Sequence, residues 1–396
     1  MNSQWTFTNP SLKNHNRLLI LKLVCTGEAR TRSALVKKTL LSKMAVTNIV
    51  NEFIDEKILC EVCEGEIQGR GRKPMIIEVS PDAPLVAGVF LGRDDCSVVL
   101  CSMDARILKV ACFALGPDMA LSSDLLLEKL YAAYTDAALG AGHRVLGIGI
   151  ASLGPIDKAK GVILNPPDFY GLSNIDIKTF LEGKTGLPVF LDNDMNASAL
   201  AEKMFGHGKS LNDFIYMGVL RGMGVGIILD GRLVASSTGI FGGIGHASIK
   251  FDGPLCPCGN RGCLELYTSL PIIVKKAAEQ MRQAGCHTIP VDWSELVSLA
   301  RENDYYALKA LDEFCDYLAL GIVNLVNIVD CGEVFLGNDV ALAEGLIEKK
   351  LEEHVNRYIF SSPRRPVRIR MSAFGQRAPL VGSVCLVLNS IFQNKF

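Results

Sequence analysis

The stretch Phe241–Cys263, FGGIGHASIKFDGPLCPCGNRGC, sets one histidine and three cysteines within eighteen residues, with glycines and prolines between them. His246, Cys256, Cys258 and Cys263 offer one nitrogen and three sulfurs, the donor set of a structural zinc ion held in a tetrahedron. The cysteines flanking Pro257 lie closer together than the usual spacing of about two to four residues, and Gly259 and Gly262 permit the sharp turns that bring Cys263 round. Four protein ligands leave no open coordination position, so a metal here fixes backbone and does not activate water.

The rest of the chain is consistent with that chemistry. Its N-terminus, MNSQWTFTNPSLKNHNR, lacks both the basic start and the apolar run of a secretory signal, and a cytoplasmic location is expected. The thirteen cysteines, an odd number set in apolar contexts such as Cys101 and Cys112, then read as reduced thiols and not as a disulfide framework. With 49% hydrophobic and 21% charged residues and no apolar run near the roughly 18 needed to span a bilayer, the chain reads as globular, with no membrane partner. Its 396 residues exceed the roughly 100–200 of one ordinary domain, so more than one core is expected.

Charge is uneven. Residues 1–80 carry 12 Lys and Arg against 8 Asp and Glu, whereas the whole chain is at −1. In this basic segment Leu18, Leu19, Leu21, Leu23 and Val24 form an apolar helix stopped at Thr26-Gly27. Thr31 or Ser33 caps a second helix reaching Leu40, and Ser42 caps a third from Lys43 to about Ile54. Val46, Ile49, Val50 and Phe53 recur at helical spacing on the third helix, leaving Lys43, Met44, Thr47, Asn48 and Asn51 toward solvent. That arrangement fits a helix-turn-helix with Lys43, Thr47 and Asn48 reaching base edges, or a plain three-helix bundle. A β-hairpin follows, whose tip GRGRKP carries Arg70 and Arg72; it suits phosphate or minor-groove contact, or is a solvated basic loop.

From Leu85 onward strand-like runs alternate with helices: LVAGVFLG, CSVVLCSMD and RILKVACFAL, a helix from Ser122, the buried strand VLGIGIASLG, then GLPVFLDNDMNASALAEKMFG as strand, loop and helix. The mixture indicates an α/β body with two lobes.

Several motifs together resemble the ROK family of bacterial sugar-responsive repressors and sugar kinases: GIASLGPIDKAKGVI (149–163), NDMNASALAE (193–202), GHASIKFDGPLCPCGNRGCLELYTS (245–269) and the N-terminal helix-turn-helix. The resemblance covers essentially the whole chain, and the helix-turn-helix points to the repressor branch. It implies a winged helix-turn-helix at residues 10–80, followed by a two-lobed actin-like ATPase (ribonuclease H-like) body. The small lobe would be 84–200 and the large lobe 201–396, with the C-terminal helix able to return to the small lobe. Operator DNA, bound by a homodimer or homotetramer, and a sugar or sugar-phosphate inducer in the inter-lobe cleft are the implied partners.

In the family's kinases the first nucleotide turn reads close to DxGGT; GVFLGRDD puts Phe90 at the aspartate, Arg93 at the second glycine and Asp94 at the threonine. The GTGxGxG turn reads LRGMGVG, with Leu220 and Arg221 at its first two positions, and Asn338 replaces the second glycine of a third turn. Phosphate binding needs close backbone approach and no opposing charge, so these departures argue against catalysis, with a kinase as the alternative. The resemblance also implies sugar contacts at Asn193, Asp194 (a vestigial general base), His246 and Glu265, with Gly154, in the turn from Ser152, lining the cleft. The alternative role for Asp194 is to cap the helix expected near Asn196. Where relatives read GEIGH this chain reads GGIGH; Gly243 removes a carboxylate, which points to an inducer altered at that end or anionic, or to a pocket that has degenerated.

Overall fold

The computed structural model describes residues 12–63, 75–116, 122–140, 142–234, 242–360 and 364–394. The chain divides into two compact units, Met1–Asp194 with Leu380–Phe396, and Met195–Pro379.

Unit 1 opens with three helices: α1 (Leu12–Cys25), α2 (Arg32–Thr39) and α3 (Lys43–Asp55). Thr31 accepts a hydrogen bond from the Ala34 main-chain N–H at 3.2 Å and Ser42 one from Ala45 at 3.1 Å, so both caps satisfy otherwise orphaned helix-end donors. The α2–α3 turn begins at Leu40, which takes a left-handed φ of 60°. Val46, Ile49, Val50 and Phe53 are buried, as the 3.6-residue stripe requires. β1 (Leu59–Cys63) and β2 (Met75–Val79) pair antiparallel with Leu59 opposite Val79. The hairpin tip with Arg70 and Arg72 lies outside the described residues.

A five-stranded sheet follows, built from β3 (Leu85–Leu91), β4 (Asp95–Cys101), β5 (Ile107–Ala114), β6 (Val145–Ser152) and β9 (Val189–Asn193), in the order β5-β4-β3-β6-β9. β3, β4 and β5 are antiparallel, whereas β3–β6 and β6–β9 are parallel. The central β3 and β6 are near-continuous apolar runs because both faces are covered. Helix α4 (Ser123–Ala138) packs on β4 and β5; α5 (Ile177–Thr185) and the short hairpin β7 (Ile156–Asp157)–β8 (Val162–Ile163) complete the body. A Cβ on Gly88 or Gly149 would lie 2.3 Å and 1.8 Å from atoms of Ser383, so glycine lets the C-terminal helix lie directly on the sheet.

Unit 2 holds a second five-stranded sheet, ordered β12-β11-β10-β13-β14. It comprises β10 (Phe214–Val219), β11 (Met223–Leu229), β12 (Arg232–Leu233), β13 (Glu333–Gly337) and β14 (Arg368–Met371). The last helix, α12 (Ala378–Phe392), falls almost wholly in unit 1, whereas, Asp194 apart, α6 (Asp194–Met204), α7 (Glu265–Thr268), α8 (Leu270–Gln283), α9 (Trp293–Arg301), α10 (Tyr305–Val329) and α11 (Glu348–Tyr358) belong to unit 2. Phe214, Tyr216, Phe314 and Phe335 are fully buried in its core. Glu202 is also fully buried, its carboxylate accepting from Ser372 Oγ at 2.5 Å and the main-chain N–H groups of Ala373 at 2.8 Å and His207 at 2.9 Å. Among the described residues no helix is long and apolar enough to cross a membrane.

Candidate functional site

The four metal-ligand candidates converge. One donor atom from each of His246, Cys256, Cys258 and Cys263 lies within 4.8 Å of every other. Cys258 Sγ is 3.7 Å from Cys263 Sγ, and Cys256 Sγ is 3.8 Å from His246 Nδ1. Bonds of about 2.0–2.3 Å to a tetrahedral zinc give edges of roughly 3.5–3.8 Å, so the donor set fits that ion. Isolated bridges between Ser248 and Cys263 and between Leu255 and Arg261 shape the loop, and the Cys256 N–H donates to the Asn260 carbonyl at 2.8 Å. Gly262 is obligatory there: its φ is 61° and a Cβ would meet the Lys250 carbonyl at 1.8 Å. Burial pushes the Cys256 thiol up to about 12 and raises Cys263, whereas the main-chain N–H of Asn260 holds Cys258 below its ordinary value. A bound cation would draw all three to thiolate.

The same loop positions two of the sugar-contact candidates. His246 ends a single 3-10 turn, Ile244–His246, and Glu265 opens α7 two residues after Cys263. Glu265 Oε1 is 3.0 Å from His246 Nδ1 and accepts from Cys256 Sγ at 3.3 Å.

In unit 1 the parallel register of β6 and β9 places Ser152 opposite Asn193, and a Cβ on Gly154 would stand 3.3 Å from Asn193 Nδ2. Ser152, Gly154 and Asn193 thus share the C-terminal edge of that sheet, the edge where parallel α/β sheets bind ligands. No loop separates β9 from α6: Asp194 is itself the first helical residue, not a residue ahead of a helix starting near Asn196. A carboxylate there is favoured by the helix dipole. Sequence reasoning missed Lys158 and Asp192: the Lys158 ammonium pairs with Asp192 Oδ2, and Asp192 Oδ1 accepts from the Asn193 N–H at 2.8 Å. The ion-paired Asp192 thereby holds the Asn193 main-chain N–H.

On α3, Lys43 and Asn48 are exposed and Thr47 is half-buried. Arg32 braces this helix from α2, donating to the Thr47 carbonyl at 3.2 Å and to Asn51 Oδ1 at 2.8 Å while pairing with Glu61 of β1 at 2.9 Å. One guanidinium fork therefore joins both helices to the hairpin, a role its isolated position in the sequence did not signal.

At the turns compared with kinase motifs, Arg93 donates to the Pro167 carbonyl and lies 3.8 Å from Asp168. Asn338 is buried, holds a left-handed φ of 65° and accepts a 2.8 Å hydrogen bond from the Tyr216 hydroxyl. Leu220 and Arg221 line an open cavity of about 690 Å³ within unit 2.

A family model described as "ROK family" matches residues 86–390. The xylose repressor of Caldicellulosiruptor bescii is 30% identical over 393 residues, spanning 96% of this chain and 97% of that protein. The glucokinase of Thermotoga maritima is 29% identical over 318 residues, spanning 97% of its own length but 77% of this chain. The crystal structure of a ROK family transcriptional regulator, a homolog of the Escherichia coli MLC protein, superposes with a TM-score of 0.80 at 24% identity and covers 97% of each chain, which shows the fold.

Proposed function

Because the chain belongs to the ROK family, we propose that it is a sugar-responsive transcriptional repressor that binds operator DNA through α3 and its adjoining hairpin. The observation that carries this reading is the capped α3 helix, with Lys43 and Asn48 exposed, preceding the family body. The repressor-named relative matches the chain through this region, whereas the glucokinase spans only 77% of it.

Lys43, Thr47 and Asn48 read bases; Arg70 and Arg72 hold phosphates or the minor groove. A palindromic operator requires two such helices, hence a homodimer or homotetramer. We assign inducer contacts to Asn193, Asp194, His246, Glu265 and Gly154. Bound inducer releases DNA only if it binds the free and DNA-bound conformations with different affinities. The relative's name makes xylose the first inducer to test; Gly243 makes sugar phosphates the second. His246, Cys256, Cys258 and Cys263 hold a structural zinc ion, which supplies rigidity to the loop bearing His246 and Glu265.

Leu220, Arg221, Asn338, Phe90, Arg93 and Asp94 replace the residues that approach nucleotide phosphates, and on that ground the chain is not a kinase. Fluorescence anisotropy on the promoter DNA flanking the gene, with and without a panel of sugars and sugar phosphates, tests the repressor reading. Sequence-specific binding released by one sugar is expected. ADP release dependent on a sugar, with no DNA binding, overturns it in favour of a kinase.

A further inference from the structure

The exposed face of α3 is not uniformly polar. Met44, Asn48, Asn51 and Asp55 lie at i, i+4, i+7 and i+11, one stripe along the helix, and all four are exposed. Asn48, Asn51 and Asp55 are polar, and Asn51 Oδ1 is engaged by Arg32 at 2.8 Å. Met44 stands one turn before Asn48, in the first turn of the helix, with 70% of its surface in solvent. Leu40, in the turn just before it, is 90% exposed.

The residues that flank this apolar tip along the chain are basic. Lys37, Lys38 and Lys43 are exposed and the first turn of α3 has no acidic residue. Among the described residues only Lys38 of the three has an ion-pair partner, Glu28, at 3.4 Å. The charge complements a polyanion, and an apolar feature on that polyanion would complement the apolar tip. In the major groove of DNA that feature is the C5-methyl group of thymine, set among the hydrogen-bond donors and acceptors of the base edges.

Resting on the repressor reading, we propose that Met44 is a specificity-determining residue that packs its thioether against a thymine methyl in each operator half-site. Four residues of helix advance about 6 Å along its axis, and base pairs stack about 3.4 Å apart. The thymine therefore lies within about two base pairs of the base read by Asn48. An unbranched thioether is suited to the contact, since it adapts its shape to a methyl group without directional demands.

The test uses the full-length protein. A duplex is selected from random DNA, and each of its thymines is then replaced singly by uracil, which deletes the methyl group and leaves base pairing unchanged. Burial of one methyl group predicts a loss of about fourfold in affinity at one thymine per half-site. Met44→Ala is expected to bind the thymine and uracil duplexes equally, and Met44→Leu to retain the preference. Circular dichroism melts matching the wild type establish that the variants fold. Indifference of the wild type to uracil, or a full uracil penalty retained by Met44→Ala, overturns this assignment alone. Failure to enrich any sequence overturns the repressor reading with it.

Discussion

The Oε1 atom of Glu265 lies 3.0 Å from Nδ1 of His246, the ring nitrogen that also faces Cys256. Nδ1 can serve the carboxylate or a cation, not both. On the proposed reading, zinc on Nδ1 would leave Glu265 without that partner and its carboxylate available to sugar hydroxyls, which would couple metal loading to inducer affinity. Freshly reduced protein is expected to carry one zinc per chain by elemental analysis. Cys258→Ser is expected to lose that metal and, with it, roughly tenfold or more of inducer affinity, by analogy with losses at groups that support a metal site. Full inducer affinity in metal-free protein refutes the coupling.

Much of this site is legible in the sequence because its signals are local. Spacing of His246, Cys256, Cys258 and Cys263 announces a ligand set, and Ser42 followed by Val46, Ile49, Val50 and Phe53 announces a capped amphipathic helix. What stays illegible is long-range. Nothing near Glu202 in sequence announces that Ser372 and Ala373, some 170 positions on, satisfy its buried carboxylate. The polar NDMN run suggests a loop, yet Asn193 completes a strand because it pairs with Ser152 of β6, a partner 41 positions away. Arg32 escapes notice for the same reason: its three partners lie on α3 and β1.

Asn338 occupies a turn where a left-handed φ of 65° would favour glycine. Asparagine tolerates that conformation, and its amide oxygen satisfies the buried Tyr216 hydroxyl. Asn338→Ala combines backbone strain with an orphaned hydroxyl and is expected to lose about 2–4 kcal/mol in urea unfolding. Asn338→Gly relieves the strain and is expected to lose less, with no ATP turnover gained by either variant. Equal losses for the two substitutions rule out a backbone contribution.

Acid sensitivity of the N-terminal helices follows from Glu52. Its partial burial would raise the carboxyl, but a hydrogen bond from Lys13 at 3.1 Å and the charge of Arg17 outweigh that and hold it below the ordinary glutamate value. A folded value below the unfolded one, about 4.3, stabilises fully above that pH and is lost as pH falls through the folded value. Hydrogen exchange of α1 and α3 amides in the full chain, corrected for intrinsic rates, is expected to be flat from pH 7 to about pH 5 and to accelerate below about pH 4. Glu52→Gln is expected to flatten that acid limb; an unchanged limb assigns the sensitivity elsewhere.

Gly243 is where this chain departs from GEIGH, and its backbone does not require glycine. Its φ is −74°, and a Cβ placed there would meet none of the described residues within 4 Å. Neither the backbone nor the described neighbours exclude a Cβ, so the absent carboxylate is a difference of chemistry. Gly243→Glu is expected to change unfolding stability by no more than about 0.5 kcal/mol, as for an ordinary exposed site. On ligands the effect is larger, because a hydrogen bond to a charged group contributes about 1.5–3 kcal/mol, roughly ten- to a hundredfold. Neutral aldoses should gain affinity by about that factor, while sugar phosphates, now facing an added negative charge, should weaken. Calorimetry on both classes reads the two changes separately. A substitution that leaves their ratio untouched shows that position 243 does not face the inducer, and an anionic inducer then loses its structural basis.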